Sequence, residues 1–141
     1  MFETIKRLNW PPDIIHIHGW MAALLPLYLK NIYKDEPIFH NSKIITSLYG
    51  NEFDKTLNKK MMNKILFDEI DESHISELTK PTYENLMKVA IDSSDAVIKG
   101  SENISSEIND YLKKYKNPIL EYQPIDSFAE PYMDFYNNLL S

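Results

Sequence analysis

Three short apolar runs in this chain each stop at or near a glycine, and Gly19, Gly50 and Gly100 are the only glycines it has. The first run, Pro12-Asp13-Ile14-Ile15-His16-Ile17-His18-Gly19, opens on proline, is filled by β-branched residues and closes on glycine, which is the pattern of a short buried strand. Lys43-Ile44-Ile45-Thr46-Ser47-Leu48 reads as a second strand ending near Gly50, and Asp95-Ala96-Val97-Ile98 as a third stopped by Gly100. Pro118-Ile119-Leu120-Glu121-Tyr122 is a fourth, shorter candidate. Near-continuous apolar centres mean burial on both faces, which points to a parallel sheet.

Between the strands the apolar period becomes that of helices. Residues 20–32 predict a helix with Leu24, Leu27, Tyr28 and Ile32 on one stripe, and Pro26 inside it predicts a kink near Ala22 and Ala23. Tyr83, Leu86, Met87 and Ala90 predict a helix over 82–93. Ser101 is placed to cap the next one, whose inward stripe is Ile104, Ile108, Tyr111, Leu112 and Tyr115. A last helix carries Phe128, Tyr132, Phe135, Tyr136 and Leu139 on one face, either as core or as a partner surface. Ser127 and Glu130 have capping-box spacing at its start, with Pro131 directly after. Residues 51–81, rich in lysine and acids, predict short helices of low local stability. Strands alternating with helices give an α/β fold: an open, mainly parallel sheet of about four strands with flanking helices, in a single partial domain over residues 1–141. Only about eleven residues precede the first strand, so one sheet edge is expected to lack a partner.

Composition narrows the function classes. With no cysteine there is no disulfide, thiolate zinc site or thiol nucleophile, and a reducing compartment, the cytoplasm, is the natural reading. The longest greasy stretch, residues 21–29, is interrupted by Pro26 and falls short of the ~18 residues of a membrane span. The first ten residues hold Glu3, Lys6 and Arg7 and no signal-peptide block, so no membrane partner is expected. A net charge of −6 repels phosphate backbones and argues against nucleic acid as a partner. Lys55, Lys59, Lys60 and Lys64 are a local exception, either a solvated face or an anion site. Widely separated glycines exclude both a dinucleotide fingerprint and a P-loop, and no nucleophile elbow or His-Glu-x-x-His helix occurs. No catalytic residue and no cofactor follow from such a pattern.

One place remains for a ligand, the carboxyl end of the first strand, because open parallel sheets gather ligands beyond that end. His18 leaves the strand there, Gly19 lets a bound group approach the backbone, and a helix beginning at Trp20 would offer free N–H groups to phosphate or carboxylate. Trp20 itself also suits the core. His16 and His18 share one strand face. They are open to three readings: a ligand-facing His18, a buried hydrogen-bonded pair with His16 the deeper, or two ligands of a metal. Metal binding is disfavoured because His40 and His74 lie in unplaced loops. Ser101, beyond the third strand, is a cap or a second ligand contact.

The run Trp10-Pro11-Pro12-Asp13-Ile14-Ile15-His16-Ile17-His18-Gly19-Trp20-Met21, continued to Tyr28, resembles a signature of bacterial glycogen and starch synthases. That family reads Pro-Asp-x-x-His-x-His-Asp-Trp-His here, followed by a helix with Pro-x-Tyr. Lys43-Ile44-Ile45-Thr46 is similar to its next strand, and Ser94-Asp95-Ala96-Val97-Ile98-Lys99-Gly100-Ser101, running on to Ile108, is similar to its Ala-Asp-x-Ile-Thr-x-Val-Ser strand and helix. The likeness covers much of residues 10–48 and 83–109. It is nearest to short, divergent synthase-like proteins of Bacteroidetes-type bacteria, whose tail also reads Leu-Glu-Tyr-Gln, here Leu120-Glu121-Tyr122-Gln123.

The resemblance implies the back half of the first, acceptor-side, Rossmann-like domain of a two-domain GT-B glycosyltransferase of family 5. Such enzymes move glucose from a nucleotide sugar to an α-1,4-glucan with retention and without a required metal. His16 and His18 then match family histidines beside the transferred sugar, and Gly19 and Trp20 fall in the same motif. Gly19 stands where the family has Asp, Met21 where it has its last His, and Ser47-Leu48-Tyr49 where it has Ile-His-Asn. Each change is expected to remove a polar group from the sugar pocket, at roughly 1–3 kcal/mol per group. The family's lysine-glycine loop would lie upstream of Met1 and its nucleotide-binding domain beyond residue 141. The expectation is therefore a synthase-like, truncated chain, catalytically incomplete by itself. The alternative is a non-catalytic module that binds an α-glucan, nucleotide sugar or sugar phosphate. A third reading is a purely structural α/β piece that pairs with a separately encoded upstream half, and the exposed sheet edge offers a route to self-association.

Overall fold

The computed structural model describes residues 1–50, 53–58, 60–66 and 70–141. Lys59, one of the four clustered lysines, lies outside the described residues. The β-branched runs form strands as their composition predicts: β1 (Ile14–His18), β2 (Lys43–Leu48), β3 (Ala96–Lys99) and the short β4 (Ile119–Leu120). They lie side by side in chain order and every pairing is parallel. The helices are α1 (Phe2–Leu8), α2 (Leu25–Asn31), α3 (Met61–Ile65), α4 (Tyr83–Asp92), α5 (Ser106–Leu112) and α6 (Ala129–Leu140), with 3-10 segments at Trp20–Ala22, Pro37–Phe39 and Glu72–Thr79. The architecture is α/β, a four-stranded parallel sheet with helices on both faces.

Strand alternation divides the core in two. On one face Ile15, Ile17 and Ile44 pack with Phe2, Leu29 and Phe39, while Leu48 and Val97 join Leu86, Met87, Ala90, Ile91, Ile108 and Leu112 of α4 and α5. Ile65, Ile70, Ile75 and Leu78, from the lysine- and acid-rich middle, are buried in that same cluster. The opposite face holds Ile45, Ala96 and Ile98, covered by Tyr132, Phe135, Tyr136 and Leu139 of α6. Each fully buried aliphatic side chain contributes about 1.5–3 kcal/mol. The aromatic stripe of the last helix is thus largely core, although Phe128 remains exposed.

Polar groups inside the sheet are matched. Ser94 Oγ donates to Ala90 O at 2.7 Å, leaving Thr46 Oγ1 to donate to Ser94 Oγ at 2.7 Å. At the amino end of the strands Asp95 accepts the Ile44 N–H at 2.8 Å on one oxygen and Lys30 Nζ at 2.6 Å on the other, clipping β2, β3 and α2 together. Its own N–H donates to Ile44 O at 2.8 Å. The outer edge of β1 pairs with no strand among the described residues.

Three local expectations are corrected. Pro26 does not kink a long helix: a 3-10 turn ends at Ala22, and Pro26 sits in the first turn of α2, where a missing N–H breaks no intrahelical bond. Ser101 caps nothing. Ser105 caps α5 by accepting the Ile108 N–H at 3.3 Å, and that start turns Ile108 and Leu112 inward. Ser127 and Glu130 form no capping box, because α6 begins after Phe128 without a side-chain cap. Thr82, by contrast, caps α4 through the Asn85 N–H.

Candidate functional site at the carboxyl end of the sheet

β1 places His16 and His18 on the face that α6 covers, with ring centroids 4.0 Å apart. Register fixes their neighbours: His16 lies beside Ile45 and His18 beside Ser47. His16 is fully engaged. Its Nδ1 is 2.7 Å from the Tyr136 hydroxyl and its Nε2 2.7 Å from Ser47 Oγ. Burial, with the neighbouring His18 second, pushes its pKa down to about 4, so the ring is neutral at pH 7 and its single N–H faces one of the two hydroxyls.

His18 sits at the rim. Its side chain is exposed, its Nδ1 lies 2.8 Å from the Tyr49 hydroxyl, and among the described residues its Nε2 has no partner. Partial burial lowers its pKa too. Gly19 follows with φ 69 and ψ 176, a backbone that needs glycine, and its N–H continues the ladder to Ser47 O at 3.2 Å. Trp20 turns back into the structure, its ring 5.0 Å edge-on from Phe53. Met21 stays 86% exposed, an apolar side chain left at the mouth. Together His18, Gly19, Trp20, Met21 and Tyr49 line an open cavity of about 250 Å³.

The histidine pair therefore divides: His16 is the hydrogen-bonded internal member, and His18, Gly19 and Trp20 reach the cavity. The helix start expected to cradle an anion at Trp20 is only one 3-10 turn, and α2 begins at Leu25. Side chains and the Gly19 backbone, rather than a helix start, line this end of the sheet. Of Ser47, Leu48 and Tyr49, only the buried Leu48 leaves its position without a polar group, while Ser47 and Tyr49 each bring a hydroxyl to a histidine; Gly19 and Met21 bring no polar side chain. Tyr136 was outside sequence reach, since it approaches from 120 residues away. Tyr49 had a signal: it follows β2 just as Gly19 follows β1, so parallel pairing brings it near His18.

Other candidates are less well placed. Ser101 Oγ accepts the Gly50 N–H at 3.0 Å and donates to Asn103 O at 3.2 Å, joining the loops after β2 and β3. A larger hollow of about 480 Å³ opens at the amino end of the strands, but two of its walls, Lys30 and Asp95, are already paired. His40 lines that hollow and His74 belongs to the cap at Asp71. Among the described residues no group of three or more His, Asp or Glu could hold a metal ion. Nor is any helix among them long and apolar enough to cross a membrane.

Known proteins are similar to this chain in sequence. Residues 1–117 match the model of the starch synthase catalytic domain. The chain is 33% identical over 109 residues to a glycogen synthase of Chlorobium phaeovibrioides, covering 77% of this chain and 22% of that protein. To a glycogen synthase of Pelodictyon phaeoclathratiforme it is 32% identical over 117 residues, 82% of this chain and 23% of the relative. The Bacillus subtilis glycogen synthase is 26% identical over 127 residues, 89% of this chain and 26% of that enzyme. The chain thus spans about a quarter of the length of these relatives or slightly less.

Proposed function

This chain belongs to the starch synthase catalytic-domain family, and from that premise we propose that the carboxyl end of its sheet holds a sugar unit of an α-glucan or of a nucleotide glucose. What supports the reading is one observation: His18 stands at the rim of an open cavity that Met21 and Tyr49 also line, with Nε2 unpartnered among the described residues. A sugar offers hydroxyls to an imidazole and C–H faces to apolar side chains, so such a wall suits it. His18 is the sugar-contacting residue, with Gly19 and Trp20 shaping the wall, and His16 supports from beneath.

The 141 residues by themselves do not transfer glucose. The cavity lacks the acid and the last histidine of the resembled motif, and a neutral imidazole beside a phenol supplies no fixed charge against a developing one. A reducing cytoplasm suits a chain without cysteine. Calorimetry with maltooligosaccharides and with ADP-glucose tests the binding. Heat with at least one of them, abolished in His18→Ala, is expected, and no heat with either ends the reading. Glucose incorporation into glycogen from ADP- or UDP-glucose, above the His18→Ala background, would overturn the statement on turnover.

A second reading, a non-catalytic assembly module, is favoured by the outer edge of β1, which pairs with no strand among the described residues. Mass by light scattering, with and without any upstream-encoded chain, separates it from a solitary binder.

A further inference from the structure

Two of the chain's three glycines, Gly19 and Gly100, meet the ring of Tyr49, and the third, Gly50, follows it in the chain. Gly100 leaves a slot that the Tyr49 ring fills: a Cβ built there would lie 2.6 Å from Cε1 and 2.7 Å from Cζ of Tyr49. On the other side a Cβ at Gly19 would touch Tyr49 Cδ2 at 4.0 Å. Gly50, next in the chain, lets the backbone pass against the loop after β3, since a Cβ there would stand 2.2 Å from Asn103 O. The Tyr83 hydroxyl donates to Tyr49 O at 2.6 Å and holds the backbone. The phenol is thereby held with its hydroxyl on His18 Nδ1.

A phenol donates to a neutral imidazole nitrogen more strongly than it accepts from an imidazole N–H, because its proton is the more acidic. We infer that Tyr49 is a specificity-determining residue of the site: it fixes His18 in the tautomer with the proton on Nε2, so the cavity presents an N–H donor and selects a ligand that offers an oxygen acceptor. The selectivity follows from the partner of the other ring nitrogen, as is general for histidine. A ligand atom that can only donate meets no acceptor on His18. Two sources of acceptor fit, a sugar hydroxyl oxygen and a phosphoryl oxygen. This inference rests on the proposed sugar site.

The test is long-range proton–nitrogen NMR on the nitrogen-15-labelled chain at pH 7.5, with His18→Ala assigning the signals. His18 is expected as the Nε2–H form, and both Tyr49→Phe and Gly100→Ala should turn it into a tautomer mixture. The Gly100 variant displaces the phenol without deleting it, and the unmodified chain gives the tautomer even if both variants fail to fold. An Nδ1–H form in the unmodified chain, or an unchanged pattern in two folded variants, overturns the inference alone. Titration with maltotriose and with inorganic phosphate then identifies the acceptor. Movement of the Nε2 signal with maltotriose supports the sugar hydroxyl, and movement with phosphate alone supports the phosphoryl oxygen. No movement with either overturns the ligand half of the inference together with the proposed function.

Discussion

The two faces of the sheet are built from the same strands yet differ in what they bury. Beneath α4 and α5 the sheet meets aliphatic side chains with almost no exposure, Met87 and Ile91 among them at 0%. Beneath α6, a helix with no fully buried residue, it meets half-open aromatic rings and, at the carboxyl end, two histidines with hydroxyl partners. The lesson is a division of labour. One face packs aliphatic side chains tightly, and the other tolerates polar groups because burial keeps the imidazoles neutral and hydroxyls satisfy them.

The contrast between the faces should be widest when a core side chain is cut back. Ile91→Ala should cost about 2–5 kcal/mol in denaturant unfolding, and Phe135→Ala on the other face about half as much, because its ring is only partly buried. Equal losses would mean the faces are equivalent.

Acid should discriminate next. His16 is held neutral when folded, with a pKa near 4, but takes up a proton at its ordinary 6.5 when unfolded. The unfolded chain therefore binds more protons between those values, and stability, complete above pH 6.5, falls as the pH drops toward 4. After allowance for solvent near the ring the loss is about 1–2 kcal/mol. His18, shifted the same way, adds to the upper part of the window. His16→Asn should flatten this slope, and a slope unchanged in that variant would remove His16 as its source.

Tyr136→Phe deletes one partner of His16 Nδ1 and should cost about 1 kcal/mol. In its pH profile the His16 midpoint should move. The smallest effect belongs to His18→Ala, within about 0.5 kcal/mol in thermal or chemical unfolding, since the ring is exposed. A loss above about 1 kcal/mol, more than an exposed side chain ordinarily contributes, would make His18 a structural residue and weaken its assignment to ligand contact.

The strands were legible because β-branched runs and their closing glycines are local signals. The α4 helix was legible because Tyr83, Leu86, Met87 and Ala90 recur at helical spacing. Pro26 was misread because a proline within an apolar period marks either a kink or a helix start, and only the turn at Trp20–Ala22 decides which. Ser101 was misplaced as the cap because the strand's end at Gly100 suggests an immediate helix, whereas α5 starts only after Ser105, with Ile108 and Leu112 buried. At the site, His18, Gly19 and Trp20 could be read from their place after a strand. The hydroxyls on the histidines could not, since Ser47 and Tyr49 come from a neighbouring strand and the loop after it, and Tyr136 from the last helix.

The clip that Asp95 makes with the Ile44 N–H and Lys30 fastens the floor of the sheet at the end away from the cavity. A frame anchored at its floor leaves its rim free to drift. The exposed Met21 and Glu102 can change without loosening the strands, whereas Trp20 and Ser101 are tied to Phe53 and to Gly50, so lineages built on this frame can trial new ligand preferences at the free positions while the fold survives the experiment.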